Sequence, residues 1–408
     1  MLGSENRIVF AVAREGQRAL VLVFVVRRVV VAIGLVAVAL VVAGVASASG
    51  ARCAGSGMRS PNVGPGDNYL RGVAATSVCN AWAVGEYSNS DDTVVRTLVE
   101  HWNGKTWRVQ KSLSPSSRES GLDGVGAISA RSAWAVGAYA NSQGAPQTLV
   151  EHWNGRAWKV QPSPNAGSSP NGRLTGVAAT SARNAWAVGF YFNSKGNPEA
   201  LIEHWNGKVW RRQPSPRRGR SSDFAAVAAS SSSNAWAVGK YYNGTAERTL
   251  IEHWNGKAWK VKPSPNEGSS RDGNELDGVA AISSARAWVV GDVFGRTFHA
   301  LVERWNGKAW RVKRIPRRGS SDGLFGVAAA SSSDVWAVGD YNIFAHTLIE
   351  HWNGQAWKLQ PSSGREAAGL IGVAAVSPAD AWAVGTHFNQ AGVRKTLIEH
   401  WNGKAWKG

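Results

Sequence analysis

Adjacent glutamate and histidine residues recur along the chain and are the first candidates for chemistry. The first pair opens residues 100–107, Glu-His-Trp-Asn-Gly-Lys-Thr-Trp. Related segments begin at Glu151, Glu203, Glu252, Glu303, Glu350 and Glu399. A carboxyl group beside an imidazole can supply general acid and base catalysis. Six of the seven copies carry the pair. Because a catalytic centre in one chain occurs once, we interpret the repeated glutamate as structural, half-buried and bonded to a tryptophan indole or a neighbouring histidine.

Acidic residues that differ between repeats form the second group of candidates. They lie directly after a recurring Ala-Val-Gly, or at the second residue of a recurring Leu-x-Gly-Val-Ala-Ala. At these positions the fifth and sixth repeats carry Asp277, Asp292 and Asp340, whereas the first and fourth carry Glu86 and Lys240. As a hypothesis, the three aspartates converge and bind a cation or a sugar, with Glu86 and Lys240 as further ligand-binding residues. A set of solvated loop acids is the alternative that stays open.

Repeat units of about 50 residues must position these side chains. Each unit contains Leu-x-Gly-Val-Ala-Ala, then Ala-Trp-Ala-Val-Gly, then the segment with two tryptophans. The units begin at Leu70, Leu122, Leu174, Phe224, Leu276, Leu324 and Leu370. All 21 tryptophans fall inside the units, three in each, and we assign them to the core. A period of this length with β-strand signals is typical of a propeller or an array.

Four strands are predicted in each unit, for example residues 174–180, 184–192, 200–205 and 208–213 of the third. The Asn-Gly pair between the last two strands predicts a hairpin with a type I′ turn. Seven such units predict an all-β, seven-bladed β-propeller of four-stranded antiparallel blades over residues 70–408. Loops between the second and third strands, and between blades, should share one face. Closure should rest on packing between blades, helped by the segment before residue 70.

The repeat resembles the Trp-rich repeats of bacterial propellers related to the Asp-box (BNR) and Ycf48-like families. The match is Trp-Asn-Gly-Lys-x-Trp preceded by Ala-Trp-Ala-Val-Gly, and it covers all seven units. The Asp-box itself is Ser-x-Asp-x-Gly-x-Thr-Trp, and here Asn103 and its equivalents stand nearest to its Asp. A weaker similarity is to tectonin-type lectin repeats, which also combine Val-Trp-Ala-Val with a Trp-ended hairpin. The resemblance implies a propeller and leaves the ligand open.

The N-terminal 48 residues are typical of an export segment. Basic residues, an apolar run and Ala-Ser-Ala at 46–48 predict a secretory signal peptide. Alternatively, the apolar residues 29–45 form a hydrophobic helix that stays as a membrane anchor. Residues 49–69, rich in Gly, Ser and Pro, are predicted to be a linker. We therefore expect a protein that is secreted or anchored to the outer face of the cytoplasmic membrane, with membrane contact only through this N-terminal segment.

The net charge bears on the kind of partner, and the cysteine count bears on a possible disulfide. The net charge of +18 suggests nucleic acid as a partner. However, the basic residues recur at two positions of the fourth strands, where they alternate with Trp and Val. We interpret them as a solvated rim that guards the sheet edges, and expect no nucleic-acid partner. The two cysteines, Cys53 and Cys79, either form one disulfide or remain free thiols.

These patterns predict an extracytoplasmic, non-enzymatic binding or scaffolding propeller. It should act as a monomer on a carbohydrate or protein partner at the cell surface, through the face with the variable loops. The alternative is a glycan-directed hydrolase or lyase, which needs an acid, a base and an arginine unique to one pocket. The sequence has no nucleophile elbow, phosphate loop or zinc-ligand spacing, so we expect no cofactor.

Overall fold

The computed structural model describes residues 8–15, 18–25, 53, 58–164, 171–295, 298–364 and 366–408. The chain divides into two units, Met1–Gly50 and Ala51–Gly408. In the first unit, β1 (Ile8–Glu15) and β2 (Arg18–Val25) pair in antiparallel fashion. The hydrophobic helix predicted for residues 29–45 and the cleavage motif at 46–48 lie outside the described residues. No helix in the described part of the chain has the length and hydropathy of a membrane span.

The second unit consists of four-stranded antiparallel sheets in which the strands follow sequence order. Blade 1 contains β3 (Asn68–Ser77), β4 (Asn80–Ser88), β5 (Val95–Trp102) and β6 (Trp107–Val109). Blade 2 contains β7 (Ser120–Ser129), β8 (Ser132–Ala140), β9 (Pro146–Trp153) and β10 (Trp158–Val160). Blade 3 contains β11 (Gly172–Ser181), β12 (Asn184–Phe192), β13 (Pro198–Trp205) and β14 (Trp210–Arg212). Blade 4 contains β15 (Ser221–Ser231), β16 (Asn234–Tyr242), β17 (Glu247–Trp254) and β18 (Trp259–Val261).

Three further blades complete the ring. Blade 5 contains β19 (Gly273–Ser283), β20 (Arg286–Phe294), β21 (His299–Trp305) and β22 (Trp310–Val312). Blade 6 contains β23 (Asp322–Ser331), β24 (Asp334–Tyr341), β25 (His346–Trp352) and β26 (Trp357–Leu359). Blade 7 contains β27 (Ala368–Ser377), β28 (Asp380–Phe388), β29 (Arg394–Trp401) and β30 (Trp406–Lys407). The first strands of successive blades lie side by side, and β27 lies against β3. The predicted all-β, seven-bladed propeller is confirmed, with each first strand starting two or three residues before the predicted start of its unit.

The Asn-Gly turns between third and fourth strands differ from the predicted type I′ turn. Gly104 has a φ of 88°, whereas Asn103 does not adopt a positive φ. The side-chain oxygen of Asn103 accepts the backbone N–H groups of Lys105 and Thr106 at 3.0 and 3.1 Å. Four residues separate the paired Trp102 and Trp107, so the chain reverses with only glycine in the left-handed region. The hairpin prediction holds, but the asparagine side chain closes the turn.

Tryptophans of neighbouring blades pack against each other and form the core between blades. Trp82 of blade 1 is fully buried. Its ring centroid lies 5.0 Å from that of Trp153 and 5.2 Å from that of Trp158, both in blade 2. His101 stacks on Trp82 within blade 1 at 4.0 Å. Aromatic burial of this kind, repeated around the ring, holds each blade to the next and confirms the assignment of these tryptophans to the core.

The repeated glutamate is buried between blades, and its donor differs from the one predicted. Glu203 is completely buried and accepts hydrogen bonds from Ser163 Oγ at 3.0 and 2.9 Å. Ser163 belongs to the loop that leads into blade 3. Burial raises the pKa of Glu203 to about 8, although the serine bond opposes the shift. The structural role is thus supported, but a serine of the preceding loop replaces the tryptophan or histidine that we predicted as donor.

The neighbouring histidine points to the other face of the strand, because successive side chains alternate. His204 Nε2 lies 2.8 Å from Asn184 Oδ1, and its ring packs on Trp186 at 4.2 Å. In blade 5, Arg304 replaces the histidine and lies 5.3 Å over the ring of Trp288. Glutamate and histidine therefore do not share a pocket, and the pair cannot act as a joint acid and base on one substrate.

The segment before β3 takes part in closing the ring. Ser60 Oγ donates to Glu100 at 2.9 and 2.8 Å, as Ser163 does to Glu203. Asn62 Oδ1 accepts the N–H of Thr396 in blade 7 at 3.0 Å. Residues 58–67, predicted as part of a linker, thus occupy the place that an interblade loop takes elsewhere. Composition does not distinguish a linker from such a loop, because interblade loops are equally rich in Ser, Pro and Gly.

A disulfide fixes the start of this segment. Cys53 is bonded to Cys79, which lies in the turn between β3 and β4. The bond ties the N-terminal tail to blade 1 on the face that carries the Asn-Gly turns, since a Cβ on Gly104 would meet Cys53 Sγ at 2.9 Å. The tail is therefore held at both of its ends.

Candidate functional site at the channel mouth

A β-bulge in every first strand supplies the lining of the central channel. In blade 5 the register with β20 shifts between Leu276 and Gly278, so Asp277 is the extra residue. The corresponding residues of the other blades are Arg71, Asp123, Thr175, Ala225, Phe325 and Ile371. All seven line one cavity of about 340 Å³. Bulges often direct side chains at functional sites, and here they place seven different residue types around one axis.

The bulges lie near the variable-loop face, which we define as the face with the loops between second and third strands and between blades. The residue after the recurring Val-Gly lies beside them, because it pairs across the sheet with the residue before the recurring Leu or Phe of the first strand. Lys240 pairs with Asp223, and Asp292 pairs with Glu275. The two variable positions identified in the sequence therefore meet at one mouth of the channel.

On blades 1 to 3 the charges of the mouth are compensated. Asp123 accepts hydrogen bonds from Arg173 Nε and Nη2, both at 2.6 Å. Arg71 lies 3.6 Å from Asp123 and donates to Glu86 at 2.7 Å. Each acid thus has a guanidinium partner in a bidentate or shared arrangement. Glu86, predicted among the ligand-binding residues, belongs to this network and not to the group of aspartates.

On blades 4 and 5 the acids outnumber the bases. One carboxylate oxygen each of Glu275, Asp277 and Asp292 lies within 4.8 Å of the other two. We call these three residues the acidic trio. Lys240 lies 2.7 Å from Glu275 and 3.5 Å from Glu247, so one ammonium group is shared. Two acids directly opposite each other, as Asp292 and Glu275 are, repel unless a positive charge intervenes.

The pKa values of Asp277 and Asp292 reflect this crowding. Burial, followed by the charge of Asp277, raises the pKa of Asp292 to about 9. Burial and the charge of Glu275 hold the pKa of Asp277 well above its usual range. Burial also raises the pKa of Asp223 to about 6, although Lys240 opposes that shift. Carboxyl groups with such raised pKa values mark a strained electrostatic site, which is common where a protein binds a ligand.

Asp340 of blade 6 lies near the trio but outside it. Its Oδ1 accepts the N–H of Phe344 at 3.3 Å, and its buried Oδ2 has no hydrogen-bond partner among the described residues. Burial raises its pKa to about 6. A Cβ on Gly369 would come within 3.4 Å of that oxygen, so glycine leaves it room. Of the three predicted aspartates, the structure brings Asp277 and Asp292 together and places Asp340 beside them.

Exposed apolar side chains accompany the acids on the same face. Ile343 and Phe344, in the loop between β24 and β25, expose 78% and 48% of their surface. Asn342, Ile343 and Phe344 all have φ values between 55° and 58°. A β-branched residue in the left-handed region is unusual, and such strain tends to persist at functional sites. Phe344 stacks on Phe325 of the channel lining at 6.4 Å. Phe298 of blade 5 exposes 39% of its surface and pairs with Ser321, whose carbonyl accepts the N–H of Asn342 at 2.8 Å. We call Phe298, Ile343 and Phe344 the apolar patch.

Sequence reasoning missed Glu275 and Asp223. Both precede the conserved apolar residue of the first strand, Leu276 or Phe224, and this position also varies between repeats. Pairing the second strand with the first in antiparallel register would have placed Glu275 opposite Asp292. The apolar patch had no comparable signal, because loop conformation decides whether those side chains are exposed.

Chemically, the mouth can bind a positive charge, hold a proton between carboxyl groups or orient a polar group of a partner. The arginines of the mouth, Arg71 and Arg173, form ion pairs with Glu86 and Asp123.

Comparisons with known proteins agree with the fold. No protein-family model matches the chain, and no curated protein matches its sequence. Among solved structures, Ycf48 bound to D1 peptide is 17% identical with a TM-score of 0.50, covering 81% of this chain and 93% of that one. Ycf48 from Cyanidioschyzon merolae is 15% identical with a TM-score of 0.52, covering 82% and 96%. The six-bladed fungal lectin from Aleuria aurantia is 12% identical with a TM-score of 0.46, covering 70% and 93%. At these identities the likeness concerns the fold alone.

Proposed function

We propose that this protein is an extracytoplasmic, non-enzymatic propeller that binds a protein partner through its variable-loop face. The observation that carries the proposal is the coincidence of the apolar patch and the uncompensated acids on blades 5 and 6. Repeated residues around the ring serve packing, whereas these residues are unique to two blades. Ile343 and Phe344 leave 78% and 48% of their surface exposed, although Phe344 also stacks on Phe325.

A protein partner is favoured over a carbohydrate by the kind of side chains exposed. Aliphatic and phenyl groups beside carboxylates match the apolar and polar groups of a peptide. Sugars are more often held by stacked Trp or Tyr with hydrogen-bonding neighbours, and the tryptophans here are mostly committed to the core. The Ycf48 propeller has been solved with a D1 peptide bound, so peptide recognition is within the range of this architecture. The acids at the mouth, including Asp340, would fix the orientation of the docked segment.

The proposed location outside the cytoplasm rests on the sequence of residues 1–48 and on the cysteines. A disulfide between Cys53 and Cys79 is stable in an oxidising compartment. N-terminal sequencing of the exported protein would distinguish a cleaved signal peptide from a retained anchor. An unprocessed protein found in the cytoplasm would contradict the proposed location.

Binding can be tested with the full chain on a peptide array and a glycan array in parallel. We expect peptides that contain both apolar and charged residues to bind, and Phe344→Ala to weaken that binding by about tenfold, as loss of a central aromatic anchor does. Val209→Ala is the matched control, because Val209 exposes 46% of its surface but lies by an Asn-Gly turn on the opposite face.

Peptide binding that Phe344→Ala leaves unchanged would move the binding surface away from blade 6. Binding to glycans alone would replace the protein partner by a carbohydrate. Turnover of a glycan would instead support the hydrolase or lyase alternative.

A further inference from the structure

The acidic trio brings three oxygen ligands to one point. Glu275 and Asp277 flank Leu276 on β19, and Asp292 lies on β20 directly opposite Glu275. The three carboxylate oxygens that lie within 4.8 Å of one another come from a single two-stranded segment with a bulge. Their mutual positions are therefore fixed by the backbone of one blade and do not depend on a mobile loop.

The two aspartates of the trio have few of the donors that buried carboxylates normally have. Asp292 is only 2% exposed, and the donor to it is the backbone N–H of Leu324 at 3.2 Å. Asp277 Oδ2 is closed off from solvent and has no hydrogen-bond partner among the described residues. Lys240 reaches Glu275 but divides its charge with Glu247. Carboxylates in this state are costly unless a positive charge joins them.

Blade 2 shows how the same position is satisfied when a counter-charge is present. Asp123, at the bulge equivalent to Asp277, has Arg173 on both oxygens at 2.6 Å. For Asp277, the residue of the next blade that is equivalent to Arg173 is Gly323, since both precede the leucine of the first strand. A glycine without a charge thus stands in blade 6 where a base stands in blade 3.

We propose that Glu275, Asp277 and Asp292 bind a hard divalent cation of the Ca²⁺ class at the channel mouth. Carboxylate oxygens are the ligands that Ca²⁺ and Mg²⁺ take in proteins, whereas soft metals select sulfur and nitrogen. Ca²⁺ tolerates irregular geometry, and three protein ligands leave positions for water on the channel side. The inference goes beyond the proposed function, because the ion binds whether or not a partner docks.

The test is a calorimetric titration of CaCl₂ into the full chain after treatment with a chelator, with the Tm measured alongside. We expect one ion per chain and a rise in Tm. Asp277→Asn and Asp292→Asn should each weaken binding by more than about tenfold, the loss that even an outer partner of a metal ligand can cause. Asp123→Asn is the matched control and should bind Ca²⁺ as the wild type does, since its carboxylate is outside the trio.

Lys240→Met is a further variant, and it should change the Ca²⁺ affinity in the opposite direction. Removing the ammonium group frees Glu275, so Ca²⁺ should bind more tightly. A wild type that gives neither heat nor a Tm shift at about 10 mM Ca²⁺, above the range of weak extracellular sites, overturns the proposal. A Ca²⁺ response that is the same in Asp277→Asn, Asp292→Asn and Lys240→Met also overturns the proposal, because the ion would then bind elsewhere.

The outcome is separable from that of the proposed function. A chain that binds peptide in EDTA but shows no Ca²⁺ response contradicts the cation site alone. A chain that binds Ca²⁺ through the trio but binds no peptide contradicts the protein partner alone.

Discussion

Asp123 and Asp277 occupy the same bulge position in blades 2 and 5 but have opposite electrostatic surroundings. Asp123 accepts two hydrogen bonds of 2.6 Å from Arg173 and lies 3.6 Å from Arg71. Asp277 instead has the carboxylates of Glu275 and Asp292 as its neighbours. The backbone is the same in both blades, so the difference arises only from which side chains the neighbouring positions carry.

This difference predicts opposite effects of one substitution on stability in the presence of a chelator. Asp123→Asn should lower the free energy of unfolding by about 2 kcal/mol, because it breaks charge-assisted bonds and leaves Arg173 without its partner. Asp277→Asn should raise it or leave it unchanged, because burial and the charge of Glu275 already disfavour the charged form of this carboxyl. Urea denaturation in EDTA measures both. Equal losses in the two variants would show that the carboxylates of the trio do not repel each other.

Glu350 is a buried carboxylate without the serine donor that the equivalent glutamates have. Ile315 stands in the loop before blade 6 where the corresponding loops have Ser163 or Ser215. Both oxygens of Glu350 lack a hydrogen-bond partner in the described part of the chain, and burial raises its pKa to about 8. Glu350→Met should therefore stabilise the fold by roughly 1–3 kcal/mol, the cost of an unsatisfied buried polar group.

Glu203→Met is the control for this prediction. It deletes a carboxylate whose hydrogen bonds from Ser163 are made, and the serine keeps only its contact with Thr148 Oγ1 at 2.9 Å, so it should destabilise the fold. Chemical denaturation of both variants gives the comparison. If both substitutions change stability by the same amount, the serine bond has no net value.

Stability should fall as the pH rises to about 8 and then level off, because several buried glutamates have raised pKa values. The pKa of Glu100 is raised to about 8 and that of Glu151 to about 7, in both cases by burial. A carboxyl with a raised pKa in the folded state keeps its proton longer than in the unfolded chain, so its contribution is lost as pH passes the folded value. The pKa of His101 is lowered to about 4 by burial, so this group is neutral in both states above pH 7 and does not contribute there.

Thermal unfolding at a series of pH values measures this slope. Glu100→Gln should make it shallower, since one proton fewer is released. Glu119→Gln, at an exposed position, should leave it unchanged. A stability that is constant or rises between pH 6.5 and 8 would contradict these raised pKa values.

The repeat made the fold predictable, while the site depended on exceptions to the repeat. Seven copies of Ala-Trp-Ala-Val-Gly and the Trp-ended hairpin define strands, blade number and core at once. Asp277 and Asp292 could be placed at the mouth because both lie at fixed offsets within that pattern. The hydrogen-bond donor to Glu203 could not be placed in this way, because it comes from a loop whose contacts cross between blades. Exposure of Phe344 depends on three consecutive left-handed residues, which the sequence Asn-Ile-Phe does not favour.

The place of the N-terminal tail in the propeller could have been predicted from a sequence match. Residues 60–62, Ser-Pro-Asn, match residues 264–266 of an interblade loop. Asn62 accepts the N–H of Thr396 at 3.0 Å, and Asn266 accepts the N–H of Thr249 at the same distance. Aligning the loops as well as the strands would therefore have assigned the tail to the propeller. Composition alone could not do so, since linkers and these loops share it.

The disulfide and Ser60 should stabilise the closed ring jointly, because both hold the same tail. Reducing the bond between Cys53 and Cys79 should lower the free energy of unfolding by about 3 kcal/mol. Ser60→Ala removes the bond to Glu100 and loosens the tail, so reduction should then cost less than it does in the wild type. Ser264→Ala removes the equivalent bond to Glu303 inside the ring and should leave the full effect of reduction. Thermal unfolding of the three proteins with and without dithiothreitol gives the coupling. If reduction costs the same in Ser60→Ala as in the wild type, the disulfide and the Ser60 hydrogen bond act independently, and the tail is not one cooperative unit.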